Sequence, residues 1–411
     1  MPDISNTALS IPPSPIRKLK PLADEARNKG KEIYHINIGQ PDIHTPEAFM
    51  EGVKNADVEV LSYSPSQGID HVVEALKEYY KRHSINLETE ELIITTGGSE
   101  AGIFALMATL DRGDEVIVPE PFYTNYRGFS KMVGGEIVPL TTRPEENFRL
   151  PEAEKIENLI TPRTKAIMIT NPSNPTGVVY KEDELEMLKD LVLENDLFLI
   201  ADEVYREFVY GDVKTKSVLQ LEGLEDNAIM TDSISKRFSA CGARVGAIAS
   251  RNKKLMKNVL HMAQTRLSPP TFGQLGMANM LRSRDYEQEM KDMIREYEKR
   301  RNTIMEGLND IPGVVFGKPE GAFYIVVKLP VKDSEDFVKW MLTDFEENGE
   351  TVMMAPASGF YGTEGKGSDE VRLSYVLREK DLSRCCQLIK RGLEEYEKVE
   401  EKRINKVKSY S

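Results

Sequence analysis

Seven short apolar runs recur through the first two thirds of the chain, at residues 92–95, 115–118, 136–138, 166–169, 197–200, 228–230 and 245–249. Continuous apolar runs bounded by turn signals suit strands buried on both faces. Longer amphipathic stretches, such as 100–110 and 182–193, lie between most of them and read as helices. This alternation predicts an α/β domain in three layers, with a mostly parallel central sheet between two layers of helices. Upstream, Ile-Pro-Pro-Ser-Pro at 11–15 reads as an extended lead-in. Residues 16–30 read as a helix stopped at Gly30. Residues 71–83 read as another, with Val72, Val73, Ala75, Leu76 and Tyr79 on helical spacing.

A long helical stretch, about 272–308, leads out of this domain. Strand-like runs at 314–316, 322–327 and 371–376, with helices among them, predict a smaller α+β domain. The expected boundaries are 1–45 for an N-terminal segment belonging to the small domain, 46–311 for the large domain and 312–411 for the small one. The segments around Ile11 to Leu22 and around Gly39 are expected to form a flap that closes on substrate and excludes water. The highly charged residues 395–408 read as a solvated helix or a frayed tail.

Composition narrows the function classes. The chain has 411 residues, 40% hydrophobic and 29% charged, which is ordinary for a two-domain globular enzyme. Its net charge of -13 argues against general nucleic-acid binding, which needs a basic surface, yet leaves room for a locally basic pocket. Three cysteines, Cys241, Cys385 and Cys386, cannot build a disulfide framework, and this usage fits a reducing cytoplasm. The start of the chain does not read as a secretory signal. No stretch approaches the roughly 20 apolar residues of a membrane span. The five histidines are scattered and the cysteines lack ligand spacing, so no metal site is expected.

Five motifs fall at strand ends or in the loops after them, where open α/β sheets bind ligands. Thr95-Thr96-Gly97-Gly98-Ser99-Glu100-Ala101 follows a strand and opens a helix. Its glycines free backbone amides for an anion, or Ser99 simply caps the helix. Asn171-Pro172-Ser173-Asn174-Pro175-Thr176-Gly177 is an irregular turn that can aim an amide at a ligand. Asp202, before Glu203-Val204-Tyr205, stands where a carboxylate can pair with a protonated ring nitrogen, or cap a short helix. Ser233-Ile234-Ser235-Lys236 carries a lysine able to form a Schiff base with an aldehyde cofactor, with Arg244 eight residues on for a phosphate. Arg372, in a strand of the smaller domain, is either a surface ion-pair partner or a two-pronged grip on a carboxylate.

Together and in this order the motifs resemble the class I/II aminotransferases of the aspartate aminotransferase type. These are pyridoxal 5'-phosphate (PLP) enzymes of fold type I. The resemblance spans nearly the whole chain, from Asn37-Ile38-Gly39-Gln40-Pro41-Asp42 through Tyr63-Ser64-Pro65-Ser66-Gln67-Gly68 and Pro121-Phe122-Tyr123 to Arg372. Asn-Pro-x-Asn-Pro-Thr-Gly with Ser-x-Ser-Lys-x(5)-Gly-x-Arg is its most specific part. The resemblance implies that Lys236 holds PLP and moves the α-proton, and that Asp202 pairs with the ring nitrogen. It implies that Asn174 and Tyr205 bond the ring 3-oxygen and that Tyr123 stacks on the ring. Gly98, Ser99, Ser233 and Arg244 match phosphate-binding positions, with Glu100 and Ser235 beside them in the cofactor site. Tyr63 matches a tyrosine that reaches the neighbouring subunit's phosphate, which implies a homodimer with shared active sites. Arg372, Gly39 and Asn174 match groups around the substrate α-carboxylate.

The implied reaction is amino transfer from an L-amino acid to a 2-oxo acid by a ping-pong cycle, of the aspartate/2-oxoglutarate type. Aromatic, alanine or broad specificity, or a β-lyase on the same scaffold, is the alternative. One bacterial subgroup holds the distal carboxylate with a lysine where this chain has Ser99. Arg266, in a loop that lies near the dimer interface in the family, is the expected substitute; a surface or interface salt bridge is the other reading.

Overall fold

The fold was taken from a computed structural model, which describes residues 2–408, with side chains through residue 402. Thirteen strands occur among the described residues. Seven form the central sheet: β2 (Leu92–Thr95), β3 (Glu115–Glu120), β4 (Glu136–Thr141), β5 (Thr164–Thr170), β6 (Phe198–Asp202), β7 (Ala228–Ser233) and β8 (Gly246–Ala249). Their order is β2-β8-β7-β6-β5-β3-β4. β8 is antiparallel to both neighbours, and the other pairings are parallel. Each apolar run in the sequence supplies one of these strands.

The runs are continuous because both faces are covered. Ile167 and Ile169 of β5, with Leu199 and Ala201 of β6, join one hydrophobic cluster. Ala166 and Met168 of β5, with Ile200 of β6 and Ile229 of β7, join the cluster on the opposite face. Successive side chains on a strand point to opposite faces, so a strand between two apolar layers cannot alternate with polar residues.

Six strands lie outside the central sheet. β1 (Glu32–His35) pairs in parallel with β11 (Glu350–Met353), which ties the N-terminal segment to the C-terminal region. β9 (Val315–Phe316), β10 (Tyr324–Lys328), β12 (Ala355–Pro356) and β13 (Glu370–Ser374) form an antiparallel sheet in the order β12-β13-β10-β9. Here Arg372 of β13 stands opposite Val326 and Ala355.

The helical stretch expected over 272–308 is two helices, Thr271–Arg282 and Tyr286–Asn309. Ser283 breaks them with an extended backbone, and its Oγ accepts the Asp285 N–H. The first expected helix is shorter than predicted, Lys20–Asn28, because Pro21 sits in its first turn and residues 15–19 form turns. Residues 395–408 belong to one long helix, Glu379–Lys408. No helix among the described residues is long and apolar enough to cross a membrane.

Candidate active site

A cavity of about 550 Å³ opens at the C-terminal ends of β5, β6 and β7. Asp202 is the last residue of β6 and is enclosed by protein except where it faces this cavity. Its Oδ2 accepts from the Tyr126 hydroxyl at 2.7 Å, and its Oδ1 from the Val204 N–H at 3.3 Å. Burial pushes its carboxyl up from 3.8 to about 6, and the neighbouring Asp232 and Glu203 add to the rise. Among the described residues no cation pairs with it.

Lys236 lies on a short helix, Ile234–Arg237, that follows β7 directly. Its Nζ donates to the Gly39 carbonyl at 2.7 Å and sits 3.9 Å from Cys241 Sγ. The chain can pass this closely only because residue 39 is glycine, since a Cβ there would fall 1.9 Å from the Tyr324 hydroxyl. Ser233 Oγ caps the short helix by accepting the Ser235 N–H, and donates to the Val245 carbonyl at 3.0 Å.

The helix Gly97–Thr109 begins at the cavity wall, with Gly98 and Ser99 in its first turn. The cap position belongs to Thr96, not Ser99, which is the third helical residue. Ser99 therefore presents its side chain and amide to the cavity from the positive end of the helix. Arg244 lies across this turn, donating to the carbonyls of Cys241 (3.0 Å) and Thr96 (3.4 Å). A Cβ on Gly97 would sit 2.3 Å from Arg244 Nη2, and its φ of +75° also suits glycine. First-turn amides, three serines (Ser99, Ser233 and Ser235) and a guanidinium thus line one side of the cavity, an arrangement that could cradle an anion.

Arg372 enters from β13 and is 2% exposed. Nη2 donates to the Asn37 carbonyl at 2.5 Å and Nη1 to Asn174 Oδ1 at 3.2 Å. The rings of Tyr324 and Phe360 lie 4.6 and 4.9 Å from its guanidinium carbon. Nε is buried with no hydrogen-bond partner, and no carboxylate pairs with the group among the described residues. Burial lowers its pKa from the ordinary arginine value. A buried arginine without a counter-ion is costly and is what a site for a carboxylate requires.

Tyr205 is buried, and its hydroxyl lies 2.9 Å from that of Tyr324. Tyr123 lines the cavity and meets Tyr126 edge-on at 5.4 Å. The structure therefore brings together Lys236, Asp202, Tyr205, Asn174, Tyr123 and Arg372, with Gly39 and the anion-cradle residues Gly98, Ser99, Ser233, Ser235 and Arg244.

Three expected residues are not in this chain's cavity. The Glu100 carboxylate is taken by the Thr96 N–H at 2.8 Å and by Arg266 at 3.1 Å, so it braces the glycine turn from behind. Arg266 is held within its own chain by Glu100 and the carbonyls of Ser66 and Ile94. Its positive charge is already answered there. Tyr63 is 79% exposed and points to no group of its own chain's cavity.

Sequence reasoning missed Tyr126, Tyr324 and Arg17, all of which line the cavity. Tyr126 could have been found, because it lies three residues after Tyr123, at the start of the helix Asn125–Val133. It bonds both Asp202 and Thr170, at 2.7 Å each.

Comparison with known proteins decides the family. The family model "Aminotransferase class I and II" matches residues 31–389. The chain belongs to the class I and II aminotransferases. It is 34% identical over 399 residues to the aromatic-amino-acid aminotransferase 2 of Thermococcus litoralis, covering 95% of this chain and 98% of that one. It is 33% identical over 393 residues to the aspartate aminotransferase of Pyrococcus abyssi, covering 94% and 97%. A solved structure of a Thermus thermophilus aspartate aminotransferase single mutant superposes with a TM-score of 0.87 at 30% identity, covering 96% of this chain and all of that one. This aminotransferase thus shares the whole architecture of its relatives.

Proposed function

We propose that this aminotransferase moves the amino group of an L-amino acid to a 2-oxo acid with pyridoxal 5'-phosphate as cofactor, and that its substrates are of the aspartate/2-oxoglutarate type. The observation that carries the proposal is Asp202, a half-buried carboxylate with no cation beside it among the described residues, sharing a cavity with a lysine and an unpaired buried arginine. Such a carboxylate fits a cationic ring nitrogen, and the cradle at Gly98, Ser99, Ser233 and Arg244 fits a phosphate. When bound, the cofactor supplies an electron sink for negative charge developed at the amino acid's α-carbon.

The chain's own groups do the rest. Asp202, held in place by Tyr126, would pair with the cofactor's ring nitrogen and favour its protonated form. Asn174, Tyr205 and Tyr123 would hold the cofactor's ring, the first two by hydrogen bonds and the third by packing. Arg372 grips the substrate α-carboxylate with its fork. Lys236 Nζ takes the α-proton and returns it on the other side of the transfer. The segments around Ile11 to Leu22 and around Gly39 close over the cavity as a flap on the smaller domain, and Gly39 and Ile16 exclude water.

We also propose a cytoplasmic homodimer with shared sites. The exposed apolar residues Val60, Leu61, Tyr63, Leu267 and Phe272 suit a second copy of the chain. Light scattering of the purified protein should give twice the chain mass, and Tyr63→Phe should weaken cofactor retention in the dimer.

A donor-by-acceptor panel tests the reaction. Aspartate with 2-oxoglutarate should be the best pair, and release of pyruvate and ammonia without transfer would favour a β-lyase. Arg372→Gln should lower kcat/KM for every amino acid by roughly 30-fold or more, the cost of about 2 kcal/mol or more expected for one half of a buried charge pair. Steady-state kinetics should show most of this loss in KM.

A further inference from the structure

We infer that Arg17 binds a second carboxylate, which makes dicarboxylic amino acids and 2-oxo acids the substrate class of this cavity. The inference rests on the aminotransferase reading and adds the residue that selects the substrate.

Four cationic side chains line the cavity, Arg17, Lys236, Arg244 and Arg372, against one carboxylate, Asp202. Three of the four are fastened to the protein. Lys236 is bonded to the Gly39 carbonyl, Arg244 to the carbonyls of Cys241 and Thr96, and Arg372 to Asn37 and Asn174. Arg17 is the exception: among the described residues its side chain makes no hydrogen bond and no ion pair. Neither of the other positions considered for a distal carboxylate supplies a cation here. Ser99 is neutral, and Arg266 is neutralised by Glu100 outside the cavity.

The backbone under Arg17 is nonetheless held. Its N–H donates to the Ser14 carbonyl at 3.2 Å. Ile16 packs against the cluster of Ala355 and Phe360, and its carbonyl accepts from Asn37 Nδ2 at 3.4 Å. The same Asn37 gives its own carbonyl to Arg372 Nη2. One asparagine therefore ties down both the strap that carries Arg17 and the arginine that receives the α-carboxylate. Both guanidinium groups also act on the Tyr123 hydroxyl, opposing the rise that burial and nearby negative groups impose on it. Arg17, Tyr123 and Arg372 all line this one cavity. A free guanidinium on a fixed backbone can fork onto a carboxylate with two parallel hydrogen bonds.

The test uses the holoenzyme, wild type and Arg17→Gln, with maleate titrated by calorimetry and with aspartate, glutamate and phenylalanine as amino donors. Arg17→Gln should weaken maleate binding and lower kcat/KM for aspartate and glutamate roughly 10- to 100-fold, the range for a hydrogen-bonded charge. Phenylalanine should change by less than about 2-fold, and Arg17→Lys should restore part of the dicarboxylate rate. Equal maleate affinity in wild type and Arg17→Gln overturns the inference, as does an equal loss on phenylalanine and aspartate. If maleate binding needs Arg17 yet no donor supports transfer, the aminotransferase reading fails and the carboxylate site stands. If transfer proceeds and maleate ignores Arg17, the reverse holds.

Discussion

Replacing Lys236 by alanine should lower amino transfer by at least ~10⁴-fold while the protein stays folded. The side chain faces the cavity, and among the described residues its Nζ bonds only the Gly39 carbonyl and, at 3.9 Å, the Cys241 sulfur. Its loss leaves no buried charge uncompensated, so the thermal melt should stay near that of wild type. Among the described residues the one carboxylate lining the cavity, Asp202, is held by Tyr126 and Val204. Small primary amines added to Lys236→Ala should recover part of the rate, because they can enter the space and carry the proton. A structural role for Lys236 predicts a lowered melt and no rescue.

Replacing Asp202 gives the second large effect. Asp202→Ala should lower kcat by roughly 10²–10³-fold or more, as expected when a preorganised charge is removed from a dry site. Asp202→Asn keeps the shape and should lose nearly as much, because a neutral amide cannot hold a ring nitrogen protonated.

The same carboxylate gives the cofactor-free protein a pH signature. Burial raises the folded carboxyl from 3.8 to about 6, so the native state binds the proton more tightly than the unfolded chain does. Protonation therefore favours the native state at low pH, and that advantage is lost as pH rises from about 4 to about 6. Across this window wild type should lose up to ~3 kcal/mol relative to Asp202→Asn. Paired urea melts of the cofactor-free proteins at several pH values measure it. Loading the cofactor should remove the difference, since a cation beside Asp202 restores a low carboxyl pKa.

The central sheet was legible from the sequence because its strands are buried on both faces. Residues such as Ile167 and Met168 pack into opposite clusters, so each run is unbroken by polar positions. The cavity residues were legible where short motifs sit at strand ends, as with Asp202 on β6 and Lys236 just beyond β7. Pairings between distant segments were not. Glu100 reads as a member of a phosphate turn until Arg266, 166 positions later, is seen to pair with it. Arg266 reads as a free cation for the same reason. Arg17 reads as part of a helix over 16–30, whereas residues 15–19 form turns, and Asn37 and the cluster of Phe360 hold the neighbouring Ile16 at the cavity. Tyr324 has no motif of its own and becomes visible through its contacts with Tyr205 and Arg372.

The central claim is that this cavity holds pyridoxal 5'-phosphate on Lys236. Incubating the protein with the cofactor, reducing with borohydride and mapping the labelled peptide tests it most directly. The account predicts one cofactor per chain, fixed to Lys236 and absent from Lys236→Ala. A label on another lysine, or none on wild type, would contradict it.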